Sequence, residues 1–184
     1  ESSLVKAIVG WVDLLSPSAV ARIQRLARHP KMRGLRPMLQ NLPDDAWILN
    51  PDLELAIAEM QASRLSFDAL VRVRQLPYLR VFAGRYPRLP MVIDHGAKPD
   101  IAASEFASWS DGLTAMAKMP QVCCKLSGLL TEANAEQGLD ELRPYIVHMY
   151  HLFGAERLMW GSDWPVLRLA PNSRYAGYGD WLAL

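Results

Sequence analysis

Two ionisable side chains stand where short apolar segments of the sequence would end as β-strands. Asp163 comes three residues after the apolar run 158–160, and His95 closes the run 90–95. An ionisable group at the end of a buried strand is costly unless it has partners or a task. Carboxylates and imidazoles are also common proton-transfer groups in enzymes. We therefore interpret Asp163 and His95 as candidate catalytic residues, against the alternatives of a helix cap and a structural histidine.

Further polar residues follow the same pattern and would complete a pocket. Arg36 and Gln40 share one face of the second predicted strand, and Arg72 lies near the end of the third. Arginines bind carboxylates through paired hydrogen bonds, although they can also be solvated or paired at a rim. Arg36, Arg72 and Gln40 are candidate substrate-binding residues for an oxygen-rich or carboxylated small molecule. Three other polar residues of the strands are not expected to form the site. Asp13 and Lys125 are expected to be structural, and Asp68 lies too early in its strand.

Predicted strands and helices alternate along the chain, and this order decides the fold class. Apolar segments predict six strands, at residues 4–15, 32–40, 65–73, 90–95, 121–127 and 158–160. Helical patterns follow at residues 16–28, 51–63, 76–86, 103–119 and 139–153, and the tail 170–184 is expected to begin one more. Such alternation is typical of parallel βα units in a sheet covered on both faces. No G-x-G-x-x-G follows the first strand, which argues against a dinucleotide-binding fold.

A (β/α)₈ TIM barrel, of the α/β class, is therefore the predicted fold. Such a barrel needs eight strands and about 200–250 residues, whereas this chain has 184 residues. The sequence begins at Glu1 rather than at a methionine. We expect about six βα units, the last three-quarters of a barrel whose N-terminal strands are missing. Residues 1–184 would then form a single, N-terminally truncated domain.

Composition and charge argue against several classes of partner. Hydrophobic residues make up 51% of the chain, charged residues 21%, and the formal net charge is +1. This balance gives no electrostatic reason to bind nucleic acid or an acidic membrane surface. No apolar run approaches the roughly 20 residues of a transmembrane helix. Cys123 and Cys124 are neighbours and are expected to pack rather than pair, so a cytoplasmic location is predicted, with a homo-oligomer left open.

Three segments together resemble one protein family. They are VIDHGAKP at residues 92–99, CKLSGL at residues 124–129 and RLMWGSDWP at residues 157–165. The sequence resembles the amidohydrolase superfamily, in its amidohydrolase-related (amidohydrolase 2) branch. Within that branch it is most similar to the sugar-lactone and dicarboxylate-lactone hydrolases, typified by L-fuconolactonase and 2-pyrone-4,6-dicarboxylate lactonase. The segments VGWVDL at residues 9–14 and GLR at residues 34–36 also fit.

The resemblance implies a (β/α)₈ barrel in which the six strands here are the third to the eighth. It also implies residue roles. Asp163 corresponds to the family's general base, His95 to its sixth-strand histidine and Arg36 to a fourth-strand substrate contact. Arg72 and Gln40 correspond less well. The implied activity is hydrolytic opening of a sugar-derived or carboxylated lactone ring.

The resemblance leaves the metal content of the complete protein open. Many amidohydrolases hold a divalent metal such as zinc or manganese through a first-strand H-x-H and the eighth-strand aspartate. Several lactonases of this branch work without one. This chain has no H-x-H. His148 and His151 lie on one predicted helix, but two histidines without a third ligand are a weak metal signal.

Two other functions compete with lactone hydrolysis. Metal-dependent non-oxidative decarboxylases of aromatic acids belong to the same branch and carry a similar G-S-D motif. The H-G-A-K-P segment at residues 95–99 argues against that class. The third hypothesis is a barrel fragment that is inert or needs another chain, because an open barrel exposes two strand edges.

Overall fold

A six-stranded parallel sheet forms the centre of the computed structural model, which describes residues 3–175 and 177–183. The strands pair in chain order and every pair is parallel. This arrangement of successive βα units is that of part of a TIM barrel, which confirms the predicted fold class. The strands are β1 (Ile8–Gly10), β2 (Met32–Leu35), β3 (Ser66–Ala69), β4 (Met91–Ile93), β5 (Val122–Leu126) and β6 (Leu158–Trp160).

Five helices connect successive strands and cover one face of the sheet, and a sixth follows the last strand among the described residues. They are α1 (Ala19–Ala27), α2 (Glu54–Ala62), α3 (Leu76–Arg85), α4 (Ala107–Ala117), α5 (Leu139–Arg157) and α6 (Tyr178–Leu182). The five predicted connecting helices and the helix in the tail are confirmed, although the prediction for the tail also included Ala176 and Leu184, which lie outside the described residues. Gly154, with φ of 62°, interrupts α5 near its end.

The strands are mostly shorter than predicted. The segment 4–15 contains a strand of only three residues, Ile8–Gly10, and the segment 32–40 only Met32–Leu35. A single bridge between Met38 and Leu70 follows the end of β2. The shortening puts Arg36 directly after β2, at the edge of the sheet where barrel active sites form.

Side chains alternate between the two faces of the sheet. Phe67 points towards the helices, where its ring centroid lies 5.1 Å from that of Phe82 in α3. Ile93 and Cys124 pack in the same fully buried layer. Asp68, the neighbour of Phe67, must point to the opposite face, which is the inside of the barrel. The barrel interior is therefore polar just below the carboxyl ends of the strands.

The fold also shows the state of the two cysteines and the lengths of the helices. Cys123 and Cys124 are both free thiols, and Cys124 is a fully buried core residue. Within residues 3–175 and 177–183, every helix is too short or too polar to cross a membrane. The cytoplasmic location stays a prediction.

Candidate active site

His95 lies in a left-handed turn that follows β4. The φ angles of residues 95–98 are 53°, 57°, 62° and 51°, so four consecutive residues adopt the left-handed region. Only Gly96 of the four does so without penalty, and the others each cost about 1–2 kcal/mol. A turn of this kind persists only where its surroundings hold it.

Four contacts hold this turn in place. The indole Nε1 of Trp109 donates a hydrogen bond of 2.7 Å to the carbonyl of Gly96. The backbone N–H of Lys98 bonds back to the carbonyl of His95 at 2.8 Å, and its ammonium lies 2.7 Å from Glu132 Oε1. A Cβ atom at Gly96 would lie 3.0 Å from the sulfur of Met149, so the turn packs tightly against α5. The fold thus holds His95 in one conformation.

The imidazole of His95 is fixed on both sides. Its Nδ1 lies 2.8 Å from the hydroxyl of Ser127, which directly follows β5. One side of the ring packs against Gly128, where a Cβ atom would lie 2.8 Å from both Cγ and Nδ1. Its Nε2 lies 3.6 Å from Oδ1 of Asp163. The structure therefore brings the two predicted catalytic residues together.

Asp163 follows β6 on a segment that is held from two directions. The N–H of Gly161 donates to the carbonyl of Leu126 at 3.1 Å, which extends the β5–β6 pairing by one residue. The carbonyl of Gly161 accepts from Trp181 Nε1 at 2.8 Å. Asp163 itself has a φ of 54°. Its side chain is 12% exposed, so the carboxylate is sheltered but can be reached by water.

Burial lowers the pKa of His95 to about 4. The carboxylate of Asp163 opposes this shift, whereas the positive charges of Lys98, Lys125 and Arg36 add to it. His95 is therefore uncharged at neutral pH. Consequently Asp163 is not neutralised by an imidazolium, which a general base at this position requires.

A cluster of four charges lies beside the His95 turn. The ammonium of Lys125 is 2.6 Å from Asp68 Oδ2 and 2.6 Å from Asp94 Oδ1. The other Asp94 oxygen is buried and lies 3.8 Å from Nη1 of Arg36. Burial would lower the pKa of Lys125, but the Asp94 and Asp68 carboxylates outweigh it and raise that pKa. Lys125 is thus a permanent cation between two carboxylates.

The predicted substrate-binding residues have different environments. Arg36 reaches the charge cluster and stays 43% exposed, so its guanidinium can meet a ligand. Arg72 lies 3.4 Å from Glu132. Glu132 also binds Lys98 of the left-handed turn, so Arg72 is linked to that turn through Glu132. The side-chain oxygen of Gln40 is buried and has no hydrogen-bond partner among the described residues. The substrate roles of all three stay predictions.

The structure places Asp68 differently from the sequence analysis. It was expected at the start of its strand, but it is the third residue of β3, 1% exposed and paired with Lys125. Asp94 and Glu132 were not considered as site residues. The signal for Asp94 was present, since it is a carboxylate inside the apolar run 90–95. Its partner on β5 is 31 residues away, which a single sequence does not reveal.

The described residues do not by themselves fit a metal site. Nowhere in residues 3–175 and 177–183 do three His, Cys, Asp or Glu side chains group closely enough to hold an ion. Zinc in proteins usually has three or four protein ligands. The Nε2 of His148 is instead 3.0 Å from the hydroxyl of Ser110.

This fold and this polar rim define the class of protein. The chain belongs to the amidohydrolase family, because the model of that family matches residues 4–184. An L-fucono-1,5-lactonase from Burkholderia ambifaria is 54% identical over 182 residues, which cover 99% of this chain and 62% of the relative. An L-fucono-1,5-lactonase from Burkholderia multivorans is 38% identical over 183 residues, which cover 94% of this chain and 62% of the relative.

A solved amidohydrolase from Burkholderia multivorans has the same fold. Its crystal form with bound Hepes superimposes with a TM-score of 0.89 at 36% identity, over 100% of this chain and 66% of that structure. A second crystal form contains zinc and gives a TM-score of 0.85 at 38% identity, over 97% of this chain and 63% of that structure. The chain spans about three fifths of the length of the curated relatives it matches.

Proposed function

We propose that the complete protein is a lactone hydrolase that opens the ring of a sugar-derived lactone. The observation that carries this proposal is the sheltered Asp163 carboxylate, 3.6 Å from a histidine that is uncharged at neutral pH. Two relatives, 54% and 38% identical, are L-fucono-1,5-lactonases and support a 1,5-lactone of this kind as substrate. A carboxylated lactone is the broader form of the same proposal.

In the proposed mechanism Asp163 is the general base. Its carboxylate takes a proton from a water molecule as the water oxygen attacks the ring carbonyl carbon. The carbonyl oxygen becomes an oxyanion in the tetrahedral intermediate. When the ring C–O bond breaks, the leaving alkoxide takes the proton back from Asp163, and a hydroxy acid is released. No other reactant is consumed.

His95 would stabilise the developing oxyanion. Ser127 is 2.8 Å from Nδ1, and a hydroxyl that donates there leaves the proton of the neutral ring on Nε2. Nε2 is the atom that faces Asp163. Its N–H could therefore donate to the carbonyl oxygen of a substrate held beside the base, where a preorganised donor stabilises charge that develops in the transition state.

Arg36 is proposed to bind the hydroxyl groups or carboxylate of the substrate, with Arg72 and Gln40 in weaker supporting roles. Arg36 lies close enough to His95 for its charge to lower the histidine pKa. Its guanidinium is partly exposed, and the carboxylate oxygen of Asp94 is 3.8 Å away, beyond hydrogen-bond distance. Among residues 3–175 and 177–183 no carboxylate oxygen lies within hydrogen-bond distance of the Arg36 guanidinium, so its donors can meet a ligand.

The test is Asp163→Asn in the complete protein, with Asp111→Asn on the exposed surface of α4 as the matched control. We expect kcat for L-fucono-1,5-lactone and related aldonolactones to fall by about 10²–10⁴-fold, the usual contribution of a general base. The control should keep wild-type kcat. Turnover of Asp163→Asn near that of wild type would remove Asp163 from the mechanism.

The competing functions have less support. A metal-dependent decarboxylase carries a similar G-S-D motif, whereas the relatives at 54% and 38% identity are L-fucono-1,5-lactonases. The Burkholderia multivorans amidohydrolase contains zinc in one crystal form. The proposal therefore includes a divalent metal in the complete protein, and metal analysis of the purified complete protein tests for it. Ring opening by residues 1–184 alone would exclude the inert-fragment hypothesis, which concerns this chain by itself.

A further inference from the structure

Strand β5 and the residue that follows it contact the two residues that come directly after β4. Lys125 lies within β5, and Ser127 comes directly after its end. Lys125 lies 2.6 Å from Asp94, and Ser127 lies 2.8 Å from the ring of His95. Asp94 and His95 are neighbours in the sequence. Lys125 thus holds Asp94, directly before the left-handed turn, and Ser127 holds the imidazole that the turn carries.

The Asp94 side chain has no exposed surface, and Asp68 is 1% exposed. Two buried carboxylates on adjacent strands would repel each other and lose their hydration. Lys125 bridges them, with one oxygen of each at 2.6 Å. Arg36 supplies the second positive charge near the remaining Asp94 oxygen, so the cluster is electrically balanced. Because its charge is balanced, the cluster is suited to holding a conformation rather than to polarising a substrate.

We propose that Lys125 is a positioning residue, which holds Asp94 and thereby sets the left-handed turn that directs His95 towards Asp163. This inference rests on the proposed lactone hydrolysis. Lys125 does not act as base or nucleophile, because it stays protonated between two carboxylates. Its effect on the reaction passes through the position of the imidazole, where a displacement of about 1 Å can reduce the rate about 10²-fold.

The experiment uses the complete protein with Lys125→Met, Lys125→Arg and the control Lys118→Met, at an exposed residue that caps α4. We expect Lys125→Met to lower kcat, per folded molecule, by about tenfold to a hundredfold with KM within about threefold of wild type. Lys125→Arg should restore part of kcat because it keeps the charge. Lys118→Met should leave both constants unchanged.

A second readout follows the imidazole itself. In ¹⁵N-histidine NMR spectra recorded at about pH 8, where the His95 ring is uncharged with or without the Lys125 charge, Lys125→Met should shift the His95 ring nitrogens, whereas the other three histidines keep their signals. If Lys125→Met does not fold, Asp68→Asn weakens the same bridge from the other side, and the same two changes are expected. This readout needs no turnover, so it distinguishes failure of this inference from failure of the proposed lactonase activity.

Three results would overturn the inference. The first is kcat of Lys125→Met within twofold of wild type. The second is a rise in KM at constant kcat, which would indicate that Lys125 contacts the substrate directly. The third is a fall in kcat with unchanged His95 signals, which would place the effect of Lys125 elsewhere.

Discussion

Gly128 offers the sharpest test of the way in which the fold holds His95. An alanine Cβ at this position would lie 2.8 Å from two ring atoms of His95, and the backbone has a φ of +63°. The left-handed backbone costs a non-glycine residue about 1–2 kcal/mol. Overpacking adds about 1–3 kcal/mol. We therefore expect Gly128→Ala to lower the free energy of unfolding by about 2–5 kcal/mol.

The same substitution should reduce catalysis, because the imidazole must move. Ordinary contact between carbon atoms begins near 3.5 Å, so the ring would shift by roughly 0.7 Å or the loop would open. Either movement changes the distances from His95 to Ser127 and Asp163. A displacement of this size corresponds to a fall in kcat of about tenfold to a hundredfold.

Gly154→Ala is the matched control for this change. Gly154 has a φ of +62°, but a Cβ there would meet nothing within 4 Å. It lies near the end of α5, before β6 begins, and so at the end of the barrel away from Asp163. The substitution should cost about 1–3 kcal/mol through the backbone alone and leave kcat unchanged.

Urea unfolding followed by circular dichroism measures the stability of both variants. A pH-indicator assay of lactone ring opening, under conditions where both are folded, measures kcat. If Gly128→Ala keeps kcat within twofold of wild type, or if both variants lose the same activity, the contact between Gly128 and His95 does not position the imidazole.

Two further predictions concern charge. Arg36→Met should raise KM about 10- to 100-fold and leave kcat within about threefold, because it removes a charged hydrogen bond to the substrate. Initial rates over a series of substrate concentrations measure both constants. An unchanged KM would contradict the prediction. His95 has a pKa of about 4 when folded and an ordinary value of 6.5. Between these values only the unfolded chain binds the proton, so stability should fall as pH is lowered from about 6.5 to 4, by about 3 kcal/mol in total. Urea unfolding of wild type and His95→Asn measures this, since the variant should lack that pH dependence.

The sequence was sufficient for the order of the elements but not for their limits. Apolar runs and helical periodicity predicted six strands and the helices between them, because burial on both faces produces long hydrophobic segments. The segment 4–15 nevertheless predicts a strand four times as long as β1, which has three residues. Hydrophobic residues such as Trp11, which is 57% exposed, carry the same signal whether or not they pair.

The candidate site could be predicted only in part. The convergence of Asp163 and His95 follows from strand ends that meet at one edge of a parallel sheet. The ion pair between Lys125 and Asp68 could not be predicted in this way, because it joins residues 57 positions apart across an intervening strand. The left-handed turn was also missed, since only Gly96 among its four residues suggests a positive φ.

Trp109 gives the His95 turn a built-in spectroscopic probe. Its indole is fully buried and its N–H bonds to the carbonyl of Gly96, one residue from the imidazole. In protein labelled with 5-fluorotryptophan, the ¹⁹F resonance of residue 109, assigned by Trp109→Phe, would respond to small movements of that carbonyl. Ligand titrations could thus be followed at the turn without turnover and without modifying any residue of the candidate active site.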